Sequence, residues 1–273
     1  MKLGFVTCVQ LGFSCMEAIY EAGGELEVAI TLKDEKAKNK SGRVYLDKFC
    51  DLNSIDLMKI DHINDDDFLD VIEKHDLDWL FIIGWSQIAN RRLLNAPKYG
   101  VLGMHPTLLP EGRGRASIPW AIIKGLKETG VTLFKLDEGV DTGAILSQYK
   151  IPLTNNTNST ELYDLVNNAH VNLMTSVIPR ILNESVTLRE QNNSDATEWE
   201  GRTPKDGEID LNGSIITAER LVRATTKPYP GAFILIHEHK HIVWKAKIVA
   251  EKTHGLCLVF KDGFLECIDW EIV

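Results

Sequence analysis

The sequence predicts an α/β fold: a doubly wound, Rossmann-like sheet followed by a small β-rich C-terminal module. Three observations carry this expectation. Trp79 to Gly84 is short and nearly all apolar, as a central parallel strand covered on both faces must be. Similar runs alternate with stretches whose apolar residues fall at helical spacing, the pattern of strand–helix–strand units. Beyond residue 225 the pattern changes to closely spaced alternating segments, as in a small antiparallel unit.

Taken in order, Leu3 to Cys8 reads as the first buried strand. Phe13 to Tyr20 reads as a helix, with Met16, Ile19 and Tyr20 at core spacing. Gly23-Gly24 ends that helix and Leu26 to Leu32 is the second strand. The connection Val9 to Ser14 holds one glycine where a dinucleotide-binding fingerprint needs three, which excludes a nicotinamide dehydrogenase. Lys33 to Arg43 carries five basic residues among Asn and Ser. A solvated loop is the preferred reading there, over a loop that meets substrate phosphates. Ile55 to Ile60 is a short strand, and Asp65-Asp66-Asp67 opens a helix to about Lys74. Those carboxylates suit the helix N-terminus better than a metal.

Val101 to Met104 is a further buried strand. It stops at His105-Pro106, because proline cannot donate to a sheet ladder. Ser117 to Lys124 begins a helix with Pro119 in its first turn. Val131 to Leu136 and Ala144 to Ile151 are strands flanking a glycine loop. A polar turn at Asn155 to Ser159 caps a long helix to about Leu182, with Pro179 kinking or ending its last turn. Residues 189–207, rich in Asn, Asp, Glu and Gly, have the composition of a linker. Thr217 to Thr225 is helical. Phe233 to Glu238, His241 to Val249, Leu256 to Phe260 and Phe264 to Trp270 are strands, with a hairpin turn at Lys261-Asp-Gly263. Three imidazoles alternate in His237-Glu-His-Lys-His241, but the stretch reads as a hairpin tip, and a solvated turn is preferred to a metal site.

With 273 residues, 44% of them hydrophobic, the chain can build a large core without disulfide or metal support. Cys8, Cys15, Cys50, Cys257 and Cys267 form no CxxC pair and no zinc spacing, so a reducing cytoplasm is the expected location. Met1 to Cys8 reads as a strand and not as a signal peptide, and no apolar run reaches the ~18 residues of a membrane span. The net charge of −9 speaks against nucleic acid as the main partner. Segment 201–273 has ten basic and ten acidic residues and is therefore neutral.

The chemistry concentrates in two stretches. Tyr99 to Trp120 places His105 at the carboxyl end of a buried strand, where open α/β sheets bind ligands. Prolines at 106, 110 and 119 and glycines at 112 and 114 follow, letting backbone approach a ligand closely. An isolated His-Pro would read as a capping histidine satisfied by backbone. Downstream, Thr129-Gly-Val-Thr-Leu-Phe-Lys-Leu-Asp-Glu-Gly-Val-Asp-Thr-Gly143 adds Asp141 in a glycine loop.

Together these stretches resemble the folate-dependent formyltransferases: the methionyl-tRNA, glycinamide ribonucleotide and amino-sugar N-formyltransferases. The resemblance rests on His105-Pro-Thr-Leu-Leu-Pro110, Arg113-Gly114, Pro119-Trp120, Glu128-Thr-Gly-Val-Thr132 and Gly139-Val-Asp-Thr-Gly143. It extends to Arg202-Thr-Pro-x-Asp-Gly207 and to Leu221-Val-Arg-Ala224 followed by Pro228-Tyr-Pro-Gly-Ala232. By position the resemblance makes His105 and Asp141 the catalytic pair. Formyl transfer is acyl transfer to an amine, and needs a base for the amine proton and a donor for the developing oxyanion.

The resemblance further implies 10-formyltetrahydrofolate as co-substrate and no metal. It assigns Trp85, Gln87, Ile88, Arg113, Gly114, Asp137, Gly139 and Val140 to the folate, and Thr107, Lys227 and Tyr229 to the acceptor. The family's asparagine falls on Gly103, which has no side chain to polarise the formyl group and leaves an expected empty space at the strand end. A main-chain amide near His105, Thr107 or Gln87 are the candidate replacements. For Tyr229, stacking on the acceptor and packing as a hinge are equal readings. The short, neutral C-terminal segment favours the amino group of a nucleotide-linked amino sugar, a surface polysaccharide precursor, over methionyl-tRNA. Glycinamide ribonucleotide enzymes lack the C-terminal motifs. The non-enzyme alternative is a folate- or sugar-nucleotide-binding protein without turnover. The expected division is a catalytic domain over 1–190 and an OB-like or reduced β module over 200–273, whose self-pairing is the candidate homodimer contact.

Overall fold

The computed structural model describes residues 1–37 and 42–273. The apolar runs form strands, with one unpredicted two-residue addition at β6: β1 (Leu3–Val6), β2 (Val28–Leu32), β3 (Asp56–Ile60), β4 (Trp79–Ile82), β5 (Gly100–His105), β6 (Arg113–Gly114), β7 (Glu128–Lys135) and β8 (Ile145–Pro152). All but β6 join one sheet in the order β3-β2-β1-β4-β5-β7-β8. From β3 to β5 neighbouring strands are parallel, and β7 then runs antiparallel to β5. Parallel neighbours need crossovers. These are α1 (Gln10–Glu21), α2 (Asp34–Ala37), α3 (Asp47–Asn53), α4 (Asp66–His75) and α5 (Arg91–Leu94).

The strand order reverses between β1 and β4, the doubly wound arrangement in which ligands bind beyond the carboxyl ends of the strands. Every residue of β1 and β4 is buried, and Phe5 stacks on Phe81 with ring centroids 5.8 Å apart. Each such ring contributes about 1.5–3 kcal/mol by leaving water. This seam holds β5 rigidly, and His105 is its last residue.

One residue of the basic stretch departs from the solvated-loop reading. Arg43 is nearly buried: its guanidinium donates to Thr31 Oγ1 at 2.9 Å and Leu32 O at 3.2 Å, and pairs with Asp34. The short helix α2 occupies residues 34–37, and Lys38 to Ser41 lie outside the described residues.

Contacts group the chain into two interleaved units. The first comprises Met1–Arg113, Gly130–Lys150 and Asn167–Thr197. The second comprises Gly114–Thr129, Ile151–Val166 and Glu198–Val273, so the grouping does not follow a single cut near residues 190–200. Helix α6 (Ser117–Ile123) belongs to the second unit, and α7 (Ser159–Leu182) contributes to both. Pro179 sits inside α7, which continues to Leu182.

The second unit also holds α8 (Ile215–Thr225), β9 (Glu198–Trp199), β10 (Ala232–Ile236), β11 (His239–Val249), β12 (Cys257–Phe260) and β13 (Gly263–Ile272). The last four strands form an antiparallel sheet in the order β10-β11-β13-β12. Ile215, Ala218 and Val222 of α8 pack on Ala232, Val243, Leu258 and Leu265. The sheet is open-edged, a reduced module and not a closed barrel. His237 and Glu238 both take left-handed backbone angles (φ 47° and 68°), as the two-residue turn between β10 and β11 demands.

The run 189–207 is not a free linker. Arg189 exchanges two backbone hydrogen bonds with Ile145, each 2.8 Å, and residues 193–195 form a helical turn. In the second unit, Thr203 and Asp206 cap each other around Pro204–Gly207. Composition misled here because polar side chains that bind backbone look the same in sequence as polar side chains that bind water.

Candidate active site

His105 lies opposite Thr132 in the β5–β7 pairing and is 8% exposed. Its Nε2 is 2.8 Å from Gly112 O. A carbonyl only accepts, so Nε2 carries the hydrogen and the imidazole is held in that tautomer. Nδ1 then faces Asp141 Oδ2 at 3.5 Å. A proton taken up at Nδ1 arrives between imidazole and carboxylate, the arrangement an amine-deprotonating pair needs.

The loop before Asp141 closes on itself. Asp137 Oδ1 accepts from Gly139 N–H at 3.0 Å and from Thr142 O–H at 2.6 Å. A Cβ on Gly143 would lie 1.7 Å from Lys135 O, so only glycine passes there. Asp141 itself has φ 54°, a left-handed conformation that a short polar side chain tolerates better than most.

A second network shapes the loop after His105. Thr132 Oγ1 donates to Thr107 O at 2.7 Å and accepts from Leu109 N–H at 3.0 Å and Gln148 Nε2 at 2.9 Å. Gln148 Nε2 also reaches Leu109 O at 2.8 Å. Thr107 differs: it is 2% exposed, yet its Oγ1 has no hydrogen-bond partner.

The remaining sequence-predicted residues divide into those tied up by protein and those presented. Arg113 is 6% exposed, and its guanidinium donates to Gln191 Oε1 (3.1 and 2.7 Å) and Asn193 Oδ1 (2.9 Å). Gln87 accepts from Ile63 N–H at 2.8 Å and donates to Asp61 O at 3.2 Å, which holds its amide against residues 61 and 63. Trp85 is partly buried against the core, with an unpartnered indole N–H. Ile88 is 84% and Val140 66% exposed, while Arg91 of α5 pairs with Glu138 at 3.3 Å. A Cβ on Gly114 would lie 2.4 Å from Trp199 O, at a φ of 106° that favours glycine.

In the second unit, Lys227 Nζ sits 5.4 Å from the Trp244 ring centroid, and the Tyr229 hydroxyl bonds Tyr163 at 3.0 Å. Burial, and then that Tyr163 hydroxyl, push the Tyr229 phenol well above its ordinary range. Gly103 corrects the expectation of an empty space. A Cβ there would come 2.6 Å from Leu136 Cδ2, so the Leu136 side chain fills the position.

A family model described as formyl transferase matches residues 27–178, and one described as formyl transferase, C-terminal domain, matches 202–263. The chain belongs to the formyl transferase family. It is 32% identical over 269 residues to the bifunctional polymyxin resistance protein ArnA of Wigglesworthia glossinidia brevipalpis. That match covers 98% of the chain but 41% of that protein. It is 29% identical over 251 residues to the methionyl-tRNA formyltransferase of Agathobacter rectalis, covering 91% and 81% respectively. Its fold is similar to the N-formyltransferase from Helicobacter canadensis in complex with folinic acid and dTDP-3-aminofucose (TM-score 0.72, 20% identity, 97% of each chain). It is also similar to WlaRD, a sugar 3N-formyl transferase solved with dTDP and 5-N-formyl-THF (TM-score 0.68, 21% identity, 97% and 96%).

Four residues of this formyl transferase carry no sequence signal of a role at the site: Gln191, Thr197, Gln148 and, beyond its place in the Thr129–Gly143 motif, Thr132. Polar residues one strand or one loop away become visible only when the fold brings them to the site's backbone.

Proposed function

We propose that this enzyme transfers a formyl group from 10-formyltetrahydrofolate to the amino group of a nucleotide-linked amino sugar. The observation that carries the reading is the His105–Asp141 pair, Nδ1 to Oδ2 at 3.5 Å, with the opposite imidazole nitrogen pinned to Gly112 O. The acceptor amine attacks the formyl carbon, and the pair takes its proton. As the tetrahedral intermediate collapses, the bond to N10 of the folate breaks and N10 receives a proton, leaving the N-formylated amino sugar and tetrahydrofolate. Thr107 is the favoured oxyanion donor in place of the missing asparagine, since its buried hydroxyl is uncommitted while the Gln87 amide is held by Ile63 and Asp61.

Solvent-exposed Ile88 and Val140 are assigned to the folate with Trp85, and Arg113, Gly114, Asp137 and Gly139 support it as framework. Lys227 and Tyr229 are assigned to the acceptor, and Tyr229→Ala is expected to raise the acceptor's KM; an unchanged KM removes Tyr229 from that role. The amino-sugar assignment is supported by the two sugar N-formyltransferases of similar fold and by the balanced charge of residues 201–273. We also read residues 1–190 as the catalytic domain and the five free thiols as fitted to a reducing cytoplasm. Incubation with the folate donor and a panel of UDP- and dTDP-linked amino sugars tests the whole reading. A mass gain of one formyl group on one sugar supports it. Formylation of methionyl-tRNA instead, or of nothing, overturns it.

A further inference from the structure

We infer that Gln191 and Thr197 are positioning residues for the His105–Asp141 pair, one for each partner. The inference rests on reading that pair as the proton-handling centre. Gln191 uses both ends of its amide: Oε1 accepts from Arg113 Nε and Nη2, and Nε2 donates to Asp141 O at 2.8 Å and Gly143 O at 2.7 Å. The orientation is set by chemistry, because the guanidinium only donates and the two carbonyls only accept. One side chain thereby fixes both carbonyls of the turn that holds Asp141 in its left-handed conformation.

Thr197 works on the imidazole. Its Oγ1 accepts from Gly112 N–H at 2.9 Å, and Gly112 O is the atom that binds His105 Nε2. Its backbone adds two further ties, accepting from Arg113 N–H at 2.9 Å and donating to Pro110 O at 3.3 Å. The segment 191–197 is therefore a clamp with one arm on each member of the pair. Arg113 and Asn193 link the arms, through the hydrogen bond from Arg113 Nη2 to Asn193 Oδ1.

Two near-isosteric changes separate the arms. Gln191→Glu keeps the acceptor for Arg113 and charges it, but sets an acceptor against the Asp141 and Gly143 carbonyls. Thr197→Val keeps shape and removes the acceptor for Gly112 N–H. Misplacing a reacting group by about 1 Å costs on the order of 100-fold in rate.

The test uses the full chain. Turnover, both KM values, the thermal midpoint and the His105 imidazole ¹⁵N shifts are measured for Gln191→Glu, Thr197→Val, Thr197→Ser, Asp141→Asn and Asp141→Asn/Gln191→Glu. Gln191→Glu and Thr197→Val are expected to lower kcat roughly 10- to 100-fold. Both KM values should stay within about threefold. Thr197→Ser should recover most of the loss, and Gln191→Glu should add nothing in the Asp141→Asn background. Unchanged kcat, failure of Ser to rescue, or losses that multiply with Asp141→Asn overturn the inference. If the wild-type chain formylates no acceptor, it is the proposed function that fails, and the ¹⁵N shifts decide the positioning role. Loss of the Nε2–H form in Thr197→Val supports that role; unchanged shifts overturn it.

Discussion

Thr107 and Thr132 are both buried threonines beside His105, and they are used in opposite ways. Thr132 Oγ1 makes three hydrogen bonds to the loop and to Gln148; Thr107 Oγ1 makes none. A buried hydroxyl without a partner is costly to keep, by about 1–3 kcal/mol. An ordered water or a ligand group can complete such a hydroxyl. The same division runs through the site. Gln148, Gln191 and Arg113 are committed to protein, whereas His105 Nδ1 lies 3.5 Å from the Asp141 carboxylate.

The sharpest way to break this contrast is to remove the reacting pair. His105→Ala and Asp141→Asn are each expected to lower turnover by several orders of magnitude with the thermal midpoint nearly unchanged. Near-normal turnover in either variant removes that residue from the mechanism. The two threonines come next. Thr107→Val is expected to cost about 100-fold in kcat with no loss of stability, because no hydrogen bond is lost. Thr132→Val is expected to cost about 1–3 kcal/mol of stability. A destabilised Thr107→Val with unchanged kcat reverses the contrast.

Gly103 sharpens it further. Gly103→Asn must displace Leu136 and is expected to lose about 1–3 kcal/mol by overpacking. Adding Leu136→Ala should recover that loss. In this double variant, turnover within about tenfold of wild type means the oxyanion is already served, and a gain of about 100-fold means it is not. The smallest effect concerns a group committed by burial alone. Burial pushes the Cys15 thiol up to about 12 from a model-compound value of 9.0. The folded state favours the protonated thiol, so its contribution is complete below about pH 9 and is lost as pH rises towards about 12. Melting curves across that range should fall less steeply for Cys15→Ala than for wild type, and parallel curves refute the assignment.

The strand order was legible because β1, β4 and β5 are buried on both faces and leave unbroken apolar runs. The His105–Asp141 proximity was legible only through motif order, since spacing cannot say that β7 returns antiparallel beside β5. Leu136 at Gly103 was not legible: a missing side chain says nothing about which neighbour fills its place. Nor was the role of 189–197, whose Asn, Gln and Thr side chains carry no periodicity and act on backbone atoms brought near by the fold.

The left-handed backbone at Asp141 narrows what mutation can explore at this position. Asparagine fits the same geometry and differs only in charge, so it isolates the carboxylate. Alanine or glutamate tolerates this angle less well and alters chemistry or reach as well, so a rate loss in either would have two causes. Sequence drift meets the same filter. Asparagine and glycine are the residues this angle favours most, and neither can take a proton, so the replacements that cost the backbone least also abolish the acid.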